Sequence, residues 1–373
     1  MSISKPRWSD GRTGPAIVVF LGAQAIGDYI MHHLAAASVA REFPGARMGV
    51  IYRDDRPYKT FINGLNPYVT ATMRIDENPG IVVPIDWFDG DEGAEGRNFS
   101  AEWIDNGLHK PDLFLTPAML DMNACIWPPP VFRMPPTVAA PLAAVLKGMG
   151  VRKDGWFACL HVREPGYVHR PGSDPKRDVS LDTYLPMIWD IIDRQGGQVI
   201  RLGHPGSLPM PEKDGLIDLS EVEDSFALQA FAVSRARYFI GSDSGPTQLA
   251  AAFKTPAATT NAMGIGIWND GDVALLKTYA AKSGGAELSW EELYELLPVL
   301  GNKRPVDFVV KDNGGDEIIE VARHMFEMTA DCPGWRQQAA SAPYDPSGTI
   351  TLPLQWRFYG YRADLTFWNK PKI

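Results

Sequence analysis

Cysteine is scarce. Three residues, Cys125, Cys159 and Cys332, lie far apart in a chain of 373 and show no metal-ligand spacing. That excludes a disulfide framework or a zinc cluster, and a reducing compartment is the simplest setting. Basic charge is also in short supply. Lys and Arg number 36 against 45 Asp and Glu, a formal net charge of −9. A nucleic acid as main ligand needs a basic footprint, which this balance does not supply. Long apolar runs are missing too. A stretch such as Ala16–Leu21 (AIVVFL) falls far short of the ~20 residues that cross a bilayer, and residues 1–15 hold no apolar signal core. The expectation is a cytoplasmic protein without a transmembrane segment, with a peripheral contact at the inner face of the membrane or a homo-oligomer contact left open.

What the chain does have is enough apolar residues for two cores. Hydrophobic residues make up 45% and charged ones 22%, a composition that folds rather than stays disordered. A single core stops growing near this length, so two α/β units are expected. β-branched runs alternate with helical periodicity, the pattern of parallel sheets covered by helices. In the first half, strands are predicted over Ala16–Leu21, Met48–Tyr52, Ile81–Ile85 and Asp112–Leu115, with a helix from Gly27 to Phe43. Five prolines in Ala124–Pro136 end all periodicity. Beyond a helix over Thr137–Gly148 the cycle starts again. Strands are predicted over Phe157–Val162, Val199–Leu202 and Tyr238–Gly241, with helices over Leu181–Gln195, Ser225–Ser234 and Pro246–Phe253. The resulting division is residues 1–135, residues 136–330 and an aromatic tail, 331–373, packed on the body. Helix Leu181–Gln195 has Ser180 as cap and Gly196-Gly197 as stop. After Ser289, whose SWEE run makes a capping box, two helices are expected before the tail.

Three loops at predicted strand ends carry candidate chemistry. The first is Tyr238–Phe253 (YFIGSDSGPTQLAAAF), where a strand runs through Ser242, Asp243, Ser244 and Gly245 into a helix with proline in its first turn. Ser244 is expected to cap that helix, and the helix N-terminus with Thr247 and Gln248 in its first turn attracts an anion. A phosphate seat competes there with a plain capped turn. The second is Phe157–Arg177, which brings His161, Arg163 and Glu164 to a strand end before a loop with Arg170, Lys176 and Arg177. Arginine forks match phosphate oxygens, although scattered salt bridges explain the later cations equally well. Arg201 and Gly203, ending another strand, add a further contact. The third is Phe20–His32, where Asp28 sits in a first helical turn, either as a dipole-favoured carboxylate or as an acid/base group. Asp89-Gly90-Asp91 and Asp270-Gly271-Asp272 have the Asp-x-Asp form of metal-dependent sugar transferases, but acidic turns explain both.

Gly27-Asp28 opening the first helix and GSDSGPTQLAAAF opening a late one resemble the lipopolysaccharide heptosyltransferases and their relatives. HVREPGY at His161–Tyr167 with RLG at Arg201–Gly203 resembles a group of bacterial glycosyltransferases of undefined substrate. His-x-Arg at a strand end is also similar to the donor-phosphate motif of GDP-fucose transferases. The likeness runs over Ala16–Asn261. Where the heptosyltransferase turn has a histidine this chain has Gln248, and Glu164 replaces the second arginine of the fucosyl motif.

The resemblance implies the GT-B fold, two Rossmann-like domains facing a cleft, and a role in polysaccharide biosynthesis. It implies inverting, metal-independent transfer of a hexosyl, heptosyl or fucosyl group. The donor is a nucleotide sugar and the acceptor a hydroxyl of a glycan, a lipid-linked saccharide or a protein, with no cofactor. Asp28 then matches the general base, with Glu164 in reserve, and Asp243-Ser244-Gly245 the donor turn. A sugar-nucleotide epimerase or hydrolase, and a non-catalytic partner subunit, are the competing expectations.

Overall fold

A computed structural model describes residues 14–75, 99–116, 120, 132–165, 177–263, 272–282, 284–288, 292 and 308–329, together with the backbone of 358–360. The chain divides into two compact units, Met1–Pro135 and Pro136–Ile373.

The first unit is built on four parallel strands, β1 (Ala16–Leu21), β2 (Arg47–Arg53), β3 (Val69–Ile75) and β4 (Leu113–Leu115), in the order β3-β2-β1-β4. Helices α1 (Ile26–Arg41), α2 (Tyr58–Leu65) and α3 (Ala101–Asp105) accompany them. The chain steps outward from β1 to β3 and then returns to place β4 on the other side of β1. The gap between β1 and β4 is therefore the topological switch point of this sheet. The loop after β1 and the start of α1 lie there. Predicted strand Ile81–Ile85 lies outside the described residues.

The core on one face of this sheet closes around fully buried Trp103. Glycine at position 49 of β2 makes room for it, because a Cβ there would stand 2.7 Å from Trp103 Cη2 and 2.8 Å from Leu108 Cδ1.

Buried polar residues line the contact of α1 with α2. His33 is fully buried, its Nε2 2.9 Å from Asn63 Oδ1 and its Nδ1 3.1 Å from Asn66 Nδ2. Tyr29 donates to the same Asn63 oxygen at 2.7 Å. Burial first of all pushes the His33 imidazole down to about 4. Lys59, wholly buried, pairs with Asp55 at 2.6 Å and lies 5.1 Å from the centroid of the Tyr29 ring.

The second unit holds a seven-stranded sheet of β5 (Phe157–His161), β6 (Gln198–Arg201), β7 (Leu216–Asp218), β8 (Tyr238–Ser242), β9 (Ala257–Ala262), β10 (Val273–Leu276) and β13 (Phe358–Gly360). Its order is β13-β10-β9-β8-β5-β6-β7. All pairs are parallel except β10 with β13. Every residue of β5, β6, β8 and β9 is buried, as a parallel sheet covered on both faces requires. Helices α4 (Pro136–Gly148), α5 (Leu185–Trp189), α6 (Phe226–Arg235), α7 (Gly245–Phe253) and α8 (Gly315–Met328) belong to this unit. A two-stranded antiparallel ribbon, β11 (Thr278–Ala281) with β12 (Phe308–Lys311), follows β10. The chain runs from β5 out to β7, then crosses back to β8 on the opposite side of β5, so the switch point lies between β5 and β8.

The single helix expected over Leu181–Gln195 is instead three pieces. A 3₁₀ turn at Leu181–Thr183, capped by Ser180, precedes α5, and a π turn at Asp190–Arg194 follows it. Pro186 in the first turn of α5 has no N–H to continue a preceding helix. Buried Asp190 accepts from Arg323 at 2.6 Å and from Gln195 at 2.9 Å, anchoring the π turn. The SWEE helix start lies outside the described residues apart from Glu292. Among the described residues no helix is long and apolar enough to cross a membrane.

The Gly49 contact makes a stability prediction. Gly49→Ala should destabilise the first unit by about 1–3 kcal/mol, the usual effect of overpacking. Denaturant unfolding would check it, and an unchanged midpoint would contradict this packing.

Candidate functional site

Ligands of open parallel sheets bind beyond the carboxyl ends of the strands at the switch point. In the second unit that position belongs to the loops after β5 and β8, and their side chains join them. His161, the last residue of β5, places Nδ1 2.8 Å from Ser244 Oγ. The Arg163 N–H donates to Ser242 Oγ at 2.7 Å. The Val179 N–H donates to Arg163 O at 2.9 Å, drawing the return of the β5 loop alongside. Glycine at 241 makes this possible, since a Cβ there would lie 2.2 Å from the His161 carbonyl oxygen.

Helix α7 begins at Gly245 with Pro246 in its first turn, so its N-terminus follows directly on these loops, with the Thr247 N–H held by the Ser244 carbonyl at 3.2 Å. Ser244 occupies the N-cap position, but contrary to expectation its side chain makes no capping bond. It bonds to His161 instead, and so ties the helix start to the neighbouring strand. In the first turn, the Thr247 hydroxyl and Gln248 Oε1 are buried atoms without a hydrogen-bond partner among the described residues. Leaving a buried polar atom unmet costs about 1–3 kcal/mol, so native structures rarely do it without a ligand or water nearby.

Two cations stand at the mouth. Arg163 donates through Nε to Asp178 Oδ1 at 2.8 Å, and among the described residues its two NH₂ groups bond to nothing. Arg177 donates to the Asp243 carbonyl at 2.9 Å and to its carboxylate at 3.2 Å. Asp178 carries no sequence signal of its own. Its role emerges only when the chain returns beside Arg163. Arg170 and Lys176 lie outside the described residues, as do Asp89-Gly90-Asp91 and Asp270-Gly271.

His161 is 4% exposed. Burial first, then the charges of Arg201, His204 and Arg163, push its imidazole down to about 3. The ring is therefore neutral at physiological pH, and its bond to Ser244 keeps the same charge across that range.

Glu164, Arg201 and Gly203 are engaged by contacts within the second unit. The Arg201 side chain is 1% exposed and forks between two carboxylates, donating Nη1 to Asp218 Oδ2 at 2.8 Å and Nη2 to Glu164 Oε1. The other Glu164 oxygen accepts the Leu208 N–H at 2.6 Å. A carboxylate that is 6% exposed, with both oxygens engaged, has little access to a substrate proton. Both Gly203 backbone groups are held by the Gln229 amide at 3.2 and 2.7 Å. These three residues fasten the loop after β6. In the first unit, Asp28 is exposed in the first turn of α1, four residues before His32, and is the expected candidate left on the surface at that sheet's switch point.

No protein-family model and no curated protein sequence matches the chain. Among solved structures it is similar to a glycosyl transferase family 9 protein from Veillonella parvula DSM 2008, at 11% identity and a TM-score of 0.43 over 66% of this chain and 80% of that one. It is similar to the ADP-heptose lipopolysaccharide heptosyltransferase II of E. coli at 14% identity and a TM-score of 0.41, over 65% and 84%. It is also similar to a UDP-GlcNAc 2-epimerase from Methanocaldococcus jannaschii at 14% identity and a TM-score of 0.33, over 84% and 99%. The first two are of the kind that the Gly27-Asp28 and GSDSGPTQ motifs resemble, but likeness at this level assigns no residue a role.

Two predictions follow from the buried groups. Glu164→Ala leaves Arg201 with one of its two counter-charges, so the second unit should lose about 3–5 kcal/mol. Thermal and urea unfolding would measure the loss. A stable Glu164→Ala protein would return this residue to the list of acid/base candidates. The second concerns pH. His33 and His161 have folded pKa values below the unfolded value of about 6.5, so the unfolded chain binds the extra protons. Stability is then full above pH ~6.5 and falls as pH drops toward 4, by up to ~1.4 kcal/mol per pH unit in each unit of the chain. Urea midpoints that stay flat from pH 7 to pH 5 would contradict the burial of both rings.

Proposed function

We propose that this protein is a GT-B glycosyltransferase that takes a sugar from a nucleotide donor whose pyrophosphate lies over the head of α7. The reading is supported by one observation above all. At the switch point between β5 and β8, one loop cluster brings together a helix N-terminus, buried atoms of Thr247 and Gln248 that have no partner among the described residues, and an Arg163 guanidinium whose NH₂ groups are likewise unpaired among them. Backbone N–H groups and a partly dehydrated guanidinium stabilise negative charge wherever it appears. In a transfer reaction it appears on the departing nucleoside diphosphate.

In this reading His161 and Ser242 are positioning residues. They hold the Ser244 and Arg163 loops in register, while Asp243, Ser244 and Gly245 supply the backbone that faces the phosphates. No metal is required, because the helix head and Arg163 do the electrostatic work. Asp28 is the proposed general base, removing the proton from an acceptor hydroxyl of a glycan, a lipid-linked saccharide or a protein as that oxygen attacks the anomeric carbon. The role requires its carboxylate to approach within ~3 Å of the acceptor oxygen. Inversion at the sugar follows from single attack by that oxygen. The setting would be polysaccharide assembly on the cytoplasmic side of a bacterial membrane.

The test combines binding and turnover. Calorimetry with a panel of nucleoside diphosphates and their sugars should find one ligand that raises the melting temperature by mass action. Gly245→Val should abolish its binding in a folded protein. Asp28→Asn should keep that affinity and lose about 10²–10⁴-fold in transfer, and transfer should survive EDTA. Unchanged donor affinity in Gly245→Val overturns the seat. Wild-type turnover by Asp28→Asn removes the base. Donor turnover without any acceptor would make the protein an epimerase or hydrolase instead.

A further inference from the structure

A cavity of about 330 Å³ opens beside the β11–β12 ribbon, lined by Asp178, Lys277, Lys282, Phe308, Val310 and Asp312 among others. Its volume is near the lower end of the ~300–1,000 Å³ of small-molecule sites, room for one ring-sized group rather than a whole nucleotide. Two carboxylates face it, each pinned by one oxygen. Asp178 Oδ1 is held by Arg163 at 2.8 Å, and Asp312 Oδ1 by Lys277 Nζ at 2.7 Å. Lys277 is itself 2% exposed, so this pair is anchored from within. Among the described residues the second oxygen of each carboxylate has no partner. On the other side β12 presents the ring of Phe308, 6.5 Å from that of Tyr279 and at 77° to it, with Val310 beside it.

The composition narrows the occupant. A phosphate would meet two carboxylates at close range, and a divalent cation would meet Lys277 and Lys282. A purely apolar group would strip water from Asp178 and Asp312 without replacing its hydrogen bonds. A neutral ring rich in hydroxyls meets none of these objections. Its O–H groups donate to the open carboxylate oxygens and accept from Lys282, while its C–H face packs on Phe308. We infer that this cavity is a seat for a single sugar ring. The inference rests on the cavity itself and not on the nucleotide seat. The two are nonetheless connected, because Asp178 holds the same Arg163 whose N–H is bound by Ser242.

Saturation-transfer NMR on the full chain, with methyl α-mannopyranoside, methyl α-glucopyranoside and methyl α-fucopyranoside as probes, tests the seat. Transfer to at least one glycoside is expected. It should weaken about tenfold or more in Asp312→Asn and in Asp178→Asn, each losing a charged acceptor, and vanish in Val310→Trp, which fills the cavity. No transfer to any of the three in the wild type, or unchanged transfer in all folded variants, overturns the inference. If Val310→Trp does not fold, the two Asn variants decide. Displacement of the glycoside by a nucleotide sugar but not by its nucleoside diphosphate would identify the ring as the donor's, and its persistence as the acceptor's. Nucleoside diphosphate binding is measured on the same samples. Its absence would refute the donor reading and leave the glycoside result standing.

Discussion

The close approach of β8 to β5 at Gly241 and His161 is the constraint on which the candidate site depends. Parallel strands fix their neighbours by backbone bonds alone, which leaves the loops beyond them free to diverge. Here they diverge in topology, one toward β6 and one toward α7, yet two side-chain hydrogen bonds hold their first residues together. Any Cβ at 241 would strike the His161 carbonyl, separate the strand ends and break both bonds. The site is thus a property of one glycine before it is a property of any charged residue.

Outward from that point, the charges are used in two different ways. Arg201 and Glu164 are buried and, with the half-buried Asp218, mutually satisfied, which fixes the loop after β6. The Arg163 guanidinium has Nε engaged by Asp178 and, among the described residues, its two NH₂ groups unpaired. The difference matters in a chain with nine more acidic than basic side chains. A ligand anion cannot rely on the overall field, which repels it, so attraction has to come from groups within a few ångströms, where low-dielectric surroundings strengthen it.

Much of the frame was legible in the sequence, and the exceptions are physical. AIVVFL, FACL and YFIG are unbroken apolar runs, the mark of strands buried on both faces, and they fall in β1, β5 and β8 as expected. β9 (AATTNA) is equally buried but made of small residues, so no hydrophobic pattern marks it. The stretch 181–195 keeps a helical stripe through three kinds of turn, because apolar spacing does not register a proline in the first turn or a buried aspartate partnered from α8. The pairing of Glu164 with Arg201 is hidden from the sequence for a similar reason. Each stands at a strand end where a ligand residue would stand, and only the pairing of β5, β6 and β7 reveals that they neutralise one another. Asp178, the residue that positions Arg163, lies 15 positions away and across a loop, beyond any local motif.

In the proposed reading, a neutral histidine at the centre of this cluster serves an anion better than a charged one. An imidazolium would add attraction for an anion, but it would also titrate within the physiological range and alter the cluster with every shift in pH. With its ring held neutral by burial and by the surrounding cations, His161 keeps one hydrogen-bonding pattern toward Ser244 throughout that range. In the proposed reading the attraction is left to the Arg163 guanidinium and to the peptide dipoles of α7. The same burial that ties stability to pH below about 6.5 thus keeps the geometry of this loop cluster independent of pH above it.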